Sequence, residues 1–455
     1  MQRMAASELI TALRKSVRGP LLGPDDARFD EGRESFNGLI DRRPAAIVRP
    51  VDATDAAAAI RVAREHALPV SVRGGGHSVA GHAVGEGGVM IDLRLLRDVL
   101  VDPSTRTVRV GGGACWNDVD ARTQSYGMAM PGGTYGDTGV AGLALTGGIG
   151  HLIGLFGLTI DNLLSAEVVT ADGRIVRADE DGEPDLFWAL RGGGGNFGVV
   201  TEFVFRIHEV DLMTAGLLVH RLEDAPLVLR AWRDSRDQMP DALTTMPALA
   251  PTAILGGHDR VLLTSVVFAS RASEAEAAIE PLLVASPVLD TVGPAFYSQA
   301  QGLYPYMPFG LRNYWTGRFV QDIPDELIEF LVEHVAISAE GSEDGVLFEP
   351  MHGAAARVEP EATAFGFRRA RFNVSPMAVW DDPSMDEGQI TWAGAARDLL
   401  QPLSPGGYLN YSTDDGASTV EGAFGTEGFA RLRAVKAVWD PDNVFRFNHN
   451  IPPAA

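Results

Sequence analysis

The chain has 455 residues, more than one ordinary hydrophobic core accommodates, so two or three domains are expected. Its formal net charge of −22 disfavours nucleic acid, anionic membranes and large polyanionic substrates as partners, because binding phosphate groups requires a basic surface. The single cysteine, Cys115, leaves no internal disulfide and fits a cytoplasmic protein, and neither a secretory signal nor an apolar run of about 20 residues, the length that spans a membrane, is found.

Apolar spacing and turn residues predict short strands and helices that alternate through residues 1–207. The predicted helices cover residues 7–17, 52–67, 116–126 and 185–190. The predicted strands cover residues 46–48, 68–72, 89–91, 107–110, 165–170, 174–177 and 199–207. Thr54 or Asp55 is the expected N-cap of the second helix, and the strand that follows this helix leads into a glycine-rich loop.

Residues 208–405 hold fewer glycine clusters and predict a second domain in which strands alternate with helices. Strands are predicted at residues 261–269, 345–349 and 371–374, and helices at residues 272–284, 326–335 and 386–400. One further helix is predicted near the end of the chain, at residues 427–438.

The glycine-rich loop at residues 73–78 (RGGGHS) is the first candidate binding element. A backbone without side chains can turn its N–H groups inward and bind an anion such as a pyrophosphate. His77 is the first reactive side chain after the glycines, although an ordinary turn with a solvated histidine is the alternative for this loop taken alone. Several glycine clusters in one region indicate one long phosphate-bearing cofactor, and further clusters occur at residues 111–113, 131–142, 147–150 and 191–198.

Five segments, in this order along the chain, carry a resemblance to a known family. They are residues 43–50 (RPAAIVRP), 72–78 (VRGGGHS), 195–201 (GNFGVVT), 408–411 (YLNY) and 445–451 (FRFNHNI). Together they resemble the berberine bridge enzyme-like, FAD-linked oxidases of the vanillyl-alcohol oxidase and p-cresol methylhydroxylase superfamily, and the bacterial hydroxynicotine-oxidase-like branch in particular.

The resemblance implies an α+β fold made of a two-part FAD-binding domain of the vanillyl-alcohol oxidase type and a substrate domain with an antiparallel sheet covered by helices. Residues 1–207 would form the first part of the FAD-binding domain, residues 208–405 the substrate-binding domain, and residues 406–455 a segment that returns to the FAD-binding domain. This discontinuity is taken from the resemblance, since composition alone does not indicate it.

The resemblance also implies a covalent bond between FAD and His77. Many relatives add a second bond from a cysteine in a Gly-Thr-Cys-Pro-type segment, but Tyr135 and Gly136 stand at the corresponding positions here. Cys115 lies earlier, at the start of a predicted helix, and is interpreted as a small buried hydrophobe. We therefore expect FAD to be held by a single covalent bond, which makes positioning of the imidazole beside the flavin essential.

The loop at residues 193–198 matches the spacing G-x-G-x-x-G but is not a Rossmann fingerprint, because a helix precedes it and a strand follows it. By resemblance this loop binds the adenosine side of FAD, and Asn448 and Asn450 lie near the flavin ring. The alternative for Asn450 is that it caps a C-terminal loop. The residues that the resemblance assigns to FAD are Arg73, Gly74, Gly75, Gly76, His77, Ser78, Gly132, Gly133, Thr134, Tyr135, Thr138, Gly139, Gly142, Gly195, Asn196, Gly198, Val199, Val200, Asn448 and Asn450.

Tyr408 and Tyr411 are the candidate catalytic residues, and in a regular strand they would lie on opposite faces. By resemblance Tyr411 faces the flavin and removes a hydroxyl or amine proton from the substrate while a hydride passes to flavin N5. A phenol with a pKa near 10 must be acidified for this role, so a nearby donor or cation is expected. The alternative is a pair of core tyrosines in a strand.

A second cluster of aromatic and basic residues either lines a substrate pocket or combines core packing with a solvated arginine face. Its members are Tyr304, Tyr306, Arg312, Tyr314, Trp315 and Arg318.

No metal is expected, because the histidines lack ligand spacing, and His151 and His352 are interpreted as structural. The scaffolds of P-loop nucleotide hydrolases and of serine hydrolases are also missing from the sequence.

The predicted function is oxidation of a small or medium organic substrate, an alcohol, sugar, amine or secondary metabolite, with O2 as the electron acceptor and H2O2 as the product. Thr138 differs from the residues that control oxygen access in relatives, so a dehydrogenase that uses another acceptor is an alternative. A resistance protein that sequesters a planar ligand in the flavin pocket is the second alternative, and it would not need Tyr411.

Overall fold

The computed structural model describes residues 6–252, 259–270, 272–304, 307–414 and 416–454. The strands of this part of the chain are β1 (Leu21–Leu22), β2 (Ala46–Val48), β3 (Val70–Arg73), β4 (Val89–Asp92), β5 (Val99–Asp102), β6 (Thr107–Gly111), β7 (Met128–Ala129), β8 (Leu163–Val169), β9 (Ile175–Ala178), β10 (Val199–Arg206), β11 (His208–Glu209), β12 (Met213–Arg221), β13 (Leu243–Pro251), β14 (Arg260–Phe268), β15 (Leu289–Asp290), β16 (Gly293–Ala295), β17 (Arg312–Val320), β18 (Gly345–Pro350), β19 (Phe372–Trp380) and β20 (Gly406–Ser412). The helices are α1 (Ala6–Ser16), α2 (Phe29–Arg33), α3 (Ala53–Glu65), α4 (Trp116–Gln124), α5 (Val140–Leu145), α6 (Ile153–Phe156), α7 (Pro184–Leu190), α8 (Ala225–Ser235), α9 (Ala272–Ile279), α10 (Tyr297–Ala300), α11 (Asp325–Ala336), α12 (Gly353–Arg357), α13 (Asp386–Leu400) and α14 (Ala417–Trp439).

A four-stranded sheet in the order β1-β2-β4-β3 begins the molecule, with β2, β4 and β3 parallel. Helix α3 packs an alanine-rich face against this sheet. Its N-cap is Asp52, whose carboxylate accepts the backbone N–H of Asp55, so the expected caps Thr54 and Asp55 are wrong. Asp55 instead accepts the backbone N–H groups of Arg18 and Gly19, which ties the segment after α1 to the start of α3.

A five-stranded antiparallel sheet in the order β5-β6-β10-β8-β9 follows. Its apolar face packs with α4, α5 and α7 and with the C-terminal helix α14, forming one continuous core. The predicted hairpin at residues 165–177 is confirmed as β8 and β9, and the strand predicted at residues 199–207 is confirmed as β10. The two sheets together bring the glycine-rich loops to one side of the first part of the chain.

A nine-stranded antiparallel sheet dominates the second part of the chain, with β16 beside β12 and the remaining order β15-β12-β14-β13-β18-β19-β17-β20. Helices α8, α11 and α13 pack on one of its faces. Its other face turns toward the first part of the molecule and holds a second apolar cluster. Sequence analysis missed β12, β13 and β17, because most of their residues are buried and the alternation of polar and apolar residues that marks a half-exposed strand is absent.

The C-terminal segment differs from the expectation at its start. β20 pairs with β17, so residues 406–412 belong to the large sheet, and the chain returns to the first part only after Ser412. The return is made by α14, whose apolar side chains join the core of the five-stranded sheet. This helix begins ten residues before the predicted 427–438 segment and contains Gly425 at φ +67, which interrupts its regular geometry and the apolar periodicity from which the prediction was made.

Candidate active site

A cavity of about 240 Å³ lies where the glycine-rich loops face the large sheet and the C-terminal segment. It brings together most of the residues assigned to the site from sequence. Those that line it are Gly74, Gly75, Gly76, His77, Ser78, Thr134, Tyr135, Thr138, Gly139, Gly142, Gly195, Asn196, Gly198, Val200, Tyr411 and Asn448. One cavity therefore joins the loops, the histidine and the tyrosine that lie far apart in the sequence.

Some predicted residues lie outside the cavity lining. They are Arg73, Gly132, Gly133, Val199, Tyr408 and Asn450. The guanidinium of Arg73 is buried and donates to the backbone carbonyls of Gly32 and Glu34, so it holds the loop from behind. A Cβ on Gly132 would lie 2.9 Å from the Trp116 ring, and Val199 belongs to the apolar core. These side chains support the site, and their contact with FAD stays a prediction.

The glycine loops fit a cofactor that is gripped by backbone. Within the described part of the chain, the backbone N–H groups of residues 75–78 donate no hydrogen bond. A Cβ on Gly142 or Gly195 would meet nothing within 4 Å, so bare backbone faces open space at both positions. The described lining contains no Lys or Arg, which leaves N–H groups as the donors for a pyrophosphate.

His77 is held by aromatic packing. Its ring stacks on Phe36 with centroids 3.8 Å apart, and Phe309 packs edge-on against it. Burial lowers the pKa of His77 to about 4, so the imidazole is neutral at physiological pH. Its Nε2 has no hydrogen-bond partner in the described part of the chain, so it is the free nucleophilic nitrogen that covalent attachment requires.

Tyr411 is paired with a buried acid that the sequence analysis missed. Its hydroxyl donates to Glu349 Oε1 at 3.1 Å, and Asn373 Nδ2 donates to Oε2 at 2.6 Å. Burial raises the pKa of Glu349 to about 7, and burial together with this carboxylate raises the pKa of Tyr411. The expected donor is present, because the Thr134 hydroxyl forms a hydrogen bond with the phenol that offsets a small part of this rise. The phenol is nevertheless not acidified, because its own hydroxyl faces a proton acceptor, Glu349. A glutamate inside the apolar strand β18 was the available signal, since charged residues are seldom fully buried.

Tyr408 plays a different part from Tyr411. Its oxygen accepts hydrogen bonds from the backbone N–H groups of Gly148 and Ile149 at 3.1 and 3.3 Å and from Asn410 Nδ2 at 2.9 Å. The expected placement of the two tyrosines on opposite faces is wrong, since their ring centroids are 5.0 Å apart. The reason is a register shift in β20, where the residues between Tyr408 and the end of the strand bulge out of the ladder with β17.

The aromatic and basic cluster of the second part divides between different environments. Trp315 lines the cavity, whereas Tyr314 packs against the opposite core and Arg312 forms an ion pair with Asp386. This split follows from the alternation of side chains along β17. The Tyr304 hydroxyl donates to the Met246 carbonyl at 2.7 Å. Arg318 is half-buried and not part of the cavity lining, and Tyr306 lies outside the described residues.

Cys115 is not a candidate for a second bond to the flavin. Cys115 is not part of the cavity lining, and burial raises the pKa of its thiol to about 11, which makes it a poor nucleophile. Among the described residues, no group of three or more His, Cys, Asp or Glu side chains is arranged to hold a metal ion. Within the same part of the chain, no helix is both long enough and apolar enough to cross a membrane.

Comparison with protein families supports the resemblance found in the sequence. Residues 44–179 match the model of an FAD binding domain, and residues 407–452 match the model of berberine and berberine-like proteins. Both matches fall on segments that line the cavity.

Full-length relatives extend these matches over the whole chain. The sequence is 30% identical to (R)-6-hydroxynicotine oxidase of Paenarthrobacter nicotinovorans, over 98% of this chain and 99% of the relative. It is 28% identical to an uncharacterised FAD-linked oxidoreductase of Bacillus subtilis, over 97% of this chain and 98% of that protein.

Solved structures agree with this result. The crystal structure of 6-hydroxy-D-nicotine oxidase from Arthrobacter nicotinovorans superimposes with a TM-score of 0.87 at 29% identity, covering 96% of this chain and 99% of that one. Xylooligosaccharide oxidase from Myceliophthora thermophila C1 shares the fold, with a TM-score of 0.87 at 23% identity and coverage of 99% and 100%. The expected α+β fold, an FAD-binding domain with an antiparallel-sheet domain, is confirmed. The chain belongs to the berberine bridge enzyme-like family and is an FAD-dependent oxidoreductase.

Proposed function

We propose that the protein binds FAD through a single covalent bond to His77 and oxidises a small or medium organic substrate, passing the electrons to O2 and releasing H2O2. The observation that carries this proposal is the hydrogen bond from Tyr411 to the buried carboxylate of Glu349, at the edge of the cavity that His77 also lines. It supplies a proton-accepting pair opposite the nitrogen to which the flavin would be attached.

The backbone of the glycine loops would hold the pyrophosphate and the adenosine side of FAD. Residues 74–78 and 134–142 supply N–H groups to the pyrophosphate, and residues 195–200 enclose the adenosine side. His77 supplies the nitrogen for the covalent bond, and Asn448 Oδ1, which has no hydrogen-bond partner in the described part of the chain, supplies an acceptor. Bound FAD provides the hydride acceptor, since a substrate C–H hydride passes to flavin N5.

Tyr411 and Glu349 remove the proton that accompanies the hydride. When the substrate hydroxyl or amine gives its proton to Tyr411, the phenol proton passes to Glu349 across their hydrogen bond. The pKa of Glu349, about 7, suits this role because a general base works best near the working pH. Tyr411 alone, with its pKa raised, would be a weak base at neutral pH.

Relatives in the family support oxidation of small organic molecules. One relative is named for a hydroxynicotine, and a protein of the same fold is named for a xylooligosaccharide. We propose an alcohol, sugar, amine or secondary metabolite as the substrate class, acted on in the cytoplasm.

We also propose a division of the chain into an FAD-binding domain at residues 1–207, a substrate-binding domain at residues 208–405 and a C-terminal segment that returns to the FAD-binding domain. Because β20 pairs with β17, the return to the FAD-binding domain begins after Ser412.

A dehydrogenase that uses a non-oxygen acceptor is the alternative on the same scaffold. Thr138 lines the cavity at the position where relatives control oxygen access, and it differs from the residues that they carry there. A protein that only sequesters a planar ligand is less well supported, because it needs no phenol–carboxylate pair.

Two measurements on the purified protein test the proposal. Acid precipitation followed by intact-mass analysis should find one FAD added to the chain, on the peptide that contains His77. Release of all the flavin into the supernatant would contradict the covalent bond. Reoxidation of chemically reduced enzyme in air should be fast and yield H2O2, whereas slow reoxidation that a quinone accelerates would indicate the dehydrogenase.

A further inference from the structure

Asp137 lies beside His77, between the lining residues Tyr135 and Thr138 but not itself part of the cavity lining, and is unused by the proposed mechanism. Its Oδ1 is 4.0 Å from His77 Nε2, beyond the reach of a hydrogen bond. Both atoms are buried, and neither has a hydrogen-bond partner in the described part of the chain. Two acceptor atoms left unsatisfied 4.0 Å apart inside a protein are costly, so a third group is expected between or beside them.

The position of Asp137 is fixed by its loop. Backbone N–H groups of Trp116 and Asn117 donate to the carbonyls of Thr138 and Gly136 at 3.1 and 2.7 Å. The same loop lies against the glycine loop, because a Cβ on Gly75 would be 2.6 Å from the Gly139 nitrogen. Close backbone contact therefore fixes the relative position of the two loops that carry Asp137 and His77.

His77 is oriented so that Nε2 is the nucleophile. Nε2 is without a hydrogen-bond partner in the described part of the chain, and a hydrogen bond with the backbone of His77 itself offsets part of the lowering of the ring's pKa. Stacking on Phe36 fixes the plane of the ring. A neutral imidazole that keeps its proton on Nδ1 has its lone pair on Nε2, the atom that lies 4.0 Å from Asp137 Oδ1.

We propose that Asp137 is the base that enables the attachment of FAD to His77, by removing a proton from the flavin 8α-methyl group while His77 Nε2 forms the bond to the 8α-carbon. The inference rests on the covalent bond proposed above. Attachment needs a base and a nucleophile at one methyl carbon, and the 4.0 Å gap between two unpartnered atoms provides both. Desolvation raises the pKa of Asp137, which strengthens its carboxylate as a base.

Protons and electrons balance in this step. The 8α C–H bond breaks, its proton goes to Asp137, and its electron pair enters the flavin ring. The Nε2 lone pair forms the new C–N bond, after which the imidazole releases its Nδ1 proton to solvent or to the flavin. The flavin is thereby reduced by two electrons, and dioxygen accepts those electrons to give H2O2 and the oxidised, attached cofactor.

The test is the time course of covalent attachment in the full-length protein. Wild type, Asp137→Asn and Asp137→Glu are produced with limited riboflavin, incubated with FAD, and sampled for flavin fluorescence in denaturing gels and for intact mass. Asp181→Asn, at an exposed position outside the cavity lining, is the matched control. We expect attachment at least tenfold slower in Asp137→Asn, since general-base catalysis contributes about 10²–10⁴-fold.

Three further readouts separate this role from a structural one. Asp137→Asn should still bind FAD reversibly, with a yellow protein after gel filtration and free flavin after acid. Asp137→Glu should recover part of the rate, and the rate of the wild type should fall as pH decreases through the pKa of Asp137. Equal attachment rates in Asp137→Asn and wild type would overturn the inference alone, whereas a wild type that never attaches FAD would overturn the covalent bond itself.

Discussion

The cavity is enclosed by two walls that are built in different ways. The glycine wall, residues 74–78, 134–142 and 193–198, presents mostly backbone and carries one reactive imidazole. The sheet wall, formed by β17, β18, β19 and β20, presents side chains: Trp315 and Tyr411 line the cavity, and Glu349 and Asn373 stand behind Tyr411. The first wall suits a large phosphate-bearing cofactor, and the second suits proton transfer. Binding of the cofactor and proton transfer from the substrate are thus assigned to different sides of one cavity.

Replacing His77 by Ala separates binding from attachment on the glycine wall and has the largest expected effect. The loop keeps its N–H groups but loses the nucleophile, so no covalent flavin should form while reversible FAD binding remains. Intact mass and acid release measure this directly. His66→Ala, at the end of α3 and not part of the cavity lining, is the control and should keep its flavin. Covalent flavin in His77→Ala would place the bond at another residue.

Replacing Tyr411 by Phe tests the sheet wall and leaves the backbone and the imidazole of the glycine wall unchanged, although a hydrogen bond with the Thr134 hydroxyl is lost. The ring still packs against Trp315 and Tyr408, whose centroids are 5.9 and 5.0 Å away, but the hydroxyl that donates to Glu349 is lost. Flavin content should be unchanged, and flavin reduction by substrate should slow about 10²–10⁴-fold, the usual contribution of a general base. Anaerobic stopped-flow absorbance measures it. An unchanged reduction rate would remove Tyr411 from the mechanism.

Replacing Glu349 by Gln tests the sheet wall through the pH dependence of flavin reduction. A carboxyl with a pKa of about 7 accepts a proton only when ionised, so wild-type flavin reduction should rise as pH increases through about 7 and then level off. The amide in Glu349→Gln keeps the shape of the side chain but cannot take the proton, so the rise near pH 7 should vanish and the plateau should fall about tenfold or more. A variant with the wild-type pH profile would show that the ionisation belongs to another group.

The two walls also differ in how well the sequence predicts them. The glycine wall can be predicted from the sequence because a backbone without side chains requires glycine. Runs such as residues 73–78 are rare enough to indicate a cofactor. Most of the sheet wall cannot be predicted from the sequence, because its chemical properties depend on which residues the fold buries. Nothing in the sequence distinguishes Glu349 from other glutamates, because its properties come from the burial of β18 in the fold. The bulge that brings Tyr408 beside Tyr411 depends on the pairing of β20 with β17. The sequence motif identified Tyr411, and only the fold identified its partner.

The same reasoning explains the elements that were found or missed. Helix α13 was predicted with its observed bounds, Asp386–Leu400, because it is amphipathic and acidic at its first turn. Strand β19 extends six residues beyond the predicted end at Val374, since every residue from Phe372 to Trp380 is buried and no polar alternation marks its course. Burial on both faces removes the pattern on which sequence prediction depends.

The prediction with the smallest effect on flavin chemistry concerns the support behind the glycine wall, where Asp120 is buried between α4 and α10. Among the described residues, neither of its oxygens accepts a well-formed hydrogen bond, and Trp116 Nε1 is also without a partner. Burial raises the pKa of Asp120 to about 8, with the Gln301 amide offsetting a small part of the shift. The carboxyl is therefore protonated in the folded protein at neutral pH.

This ionisation should make the folded state less stable as pH rises. Between about pH 4, where Asp ionises in the unfolded chain, and pH 8, the folded protein binds one proton more, so the free energy of unfolding falls with increasing pH. Asp120→Asn removes this loss. Thermal unfolding at pH 5 and pH 8 should show a smaller drop in Tm for the variant, equivalent to about 3–4 kcal/mol, because one extra bound proton changes the free energy of unfolding by about 1.4 kcal/mol per pH unit. With Asp181→Asn as the exposed control, equal drops in the variant and wild type would mean that Asp120 is already ionised and that a water satisfies it in the folded protein.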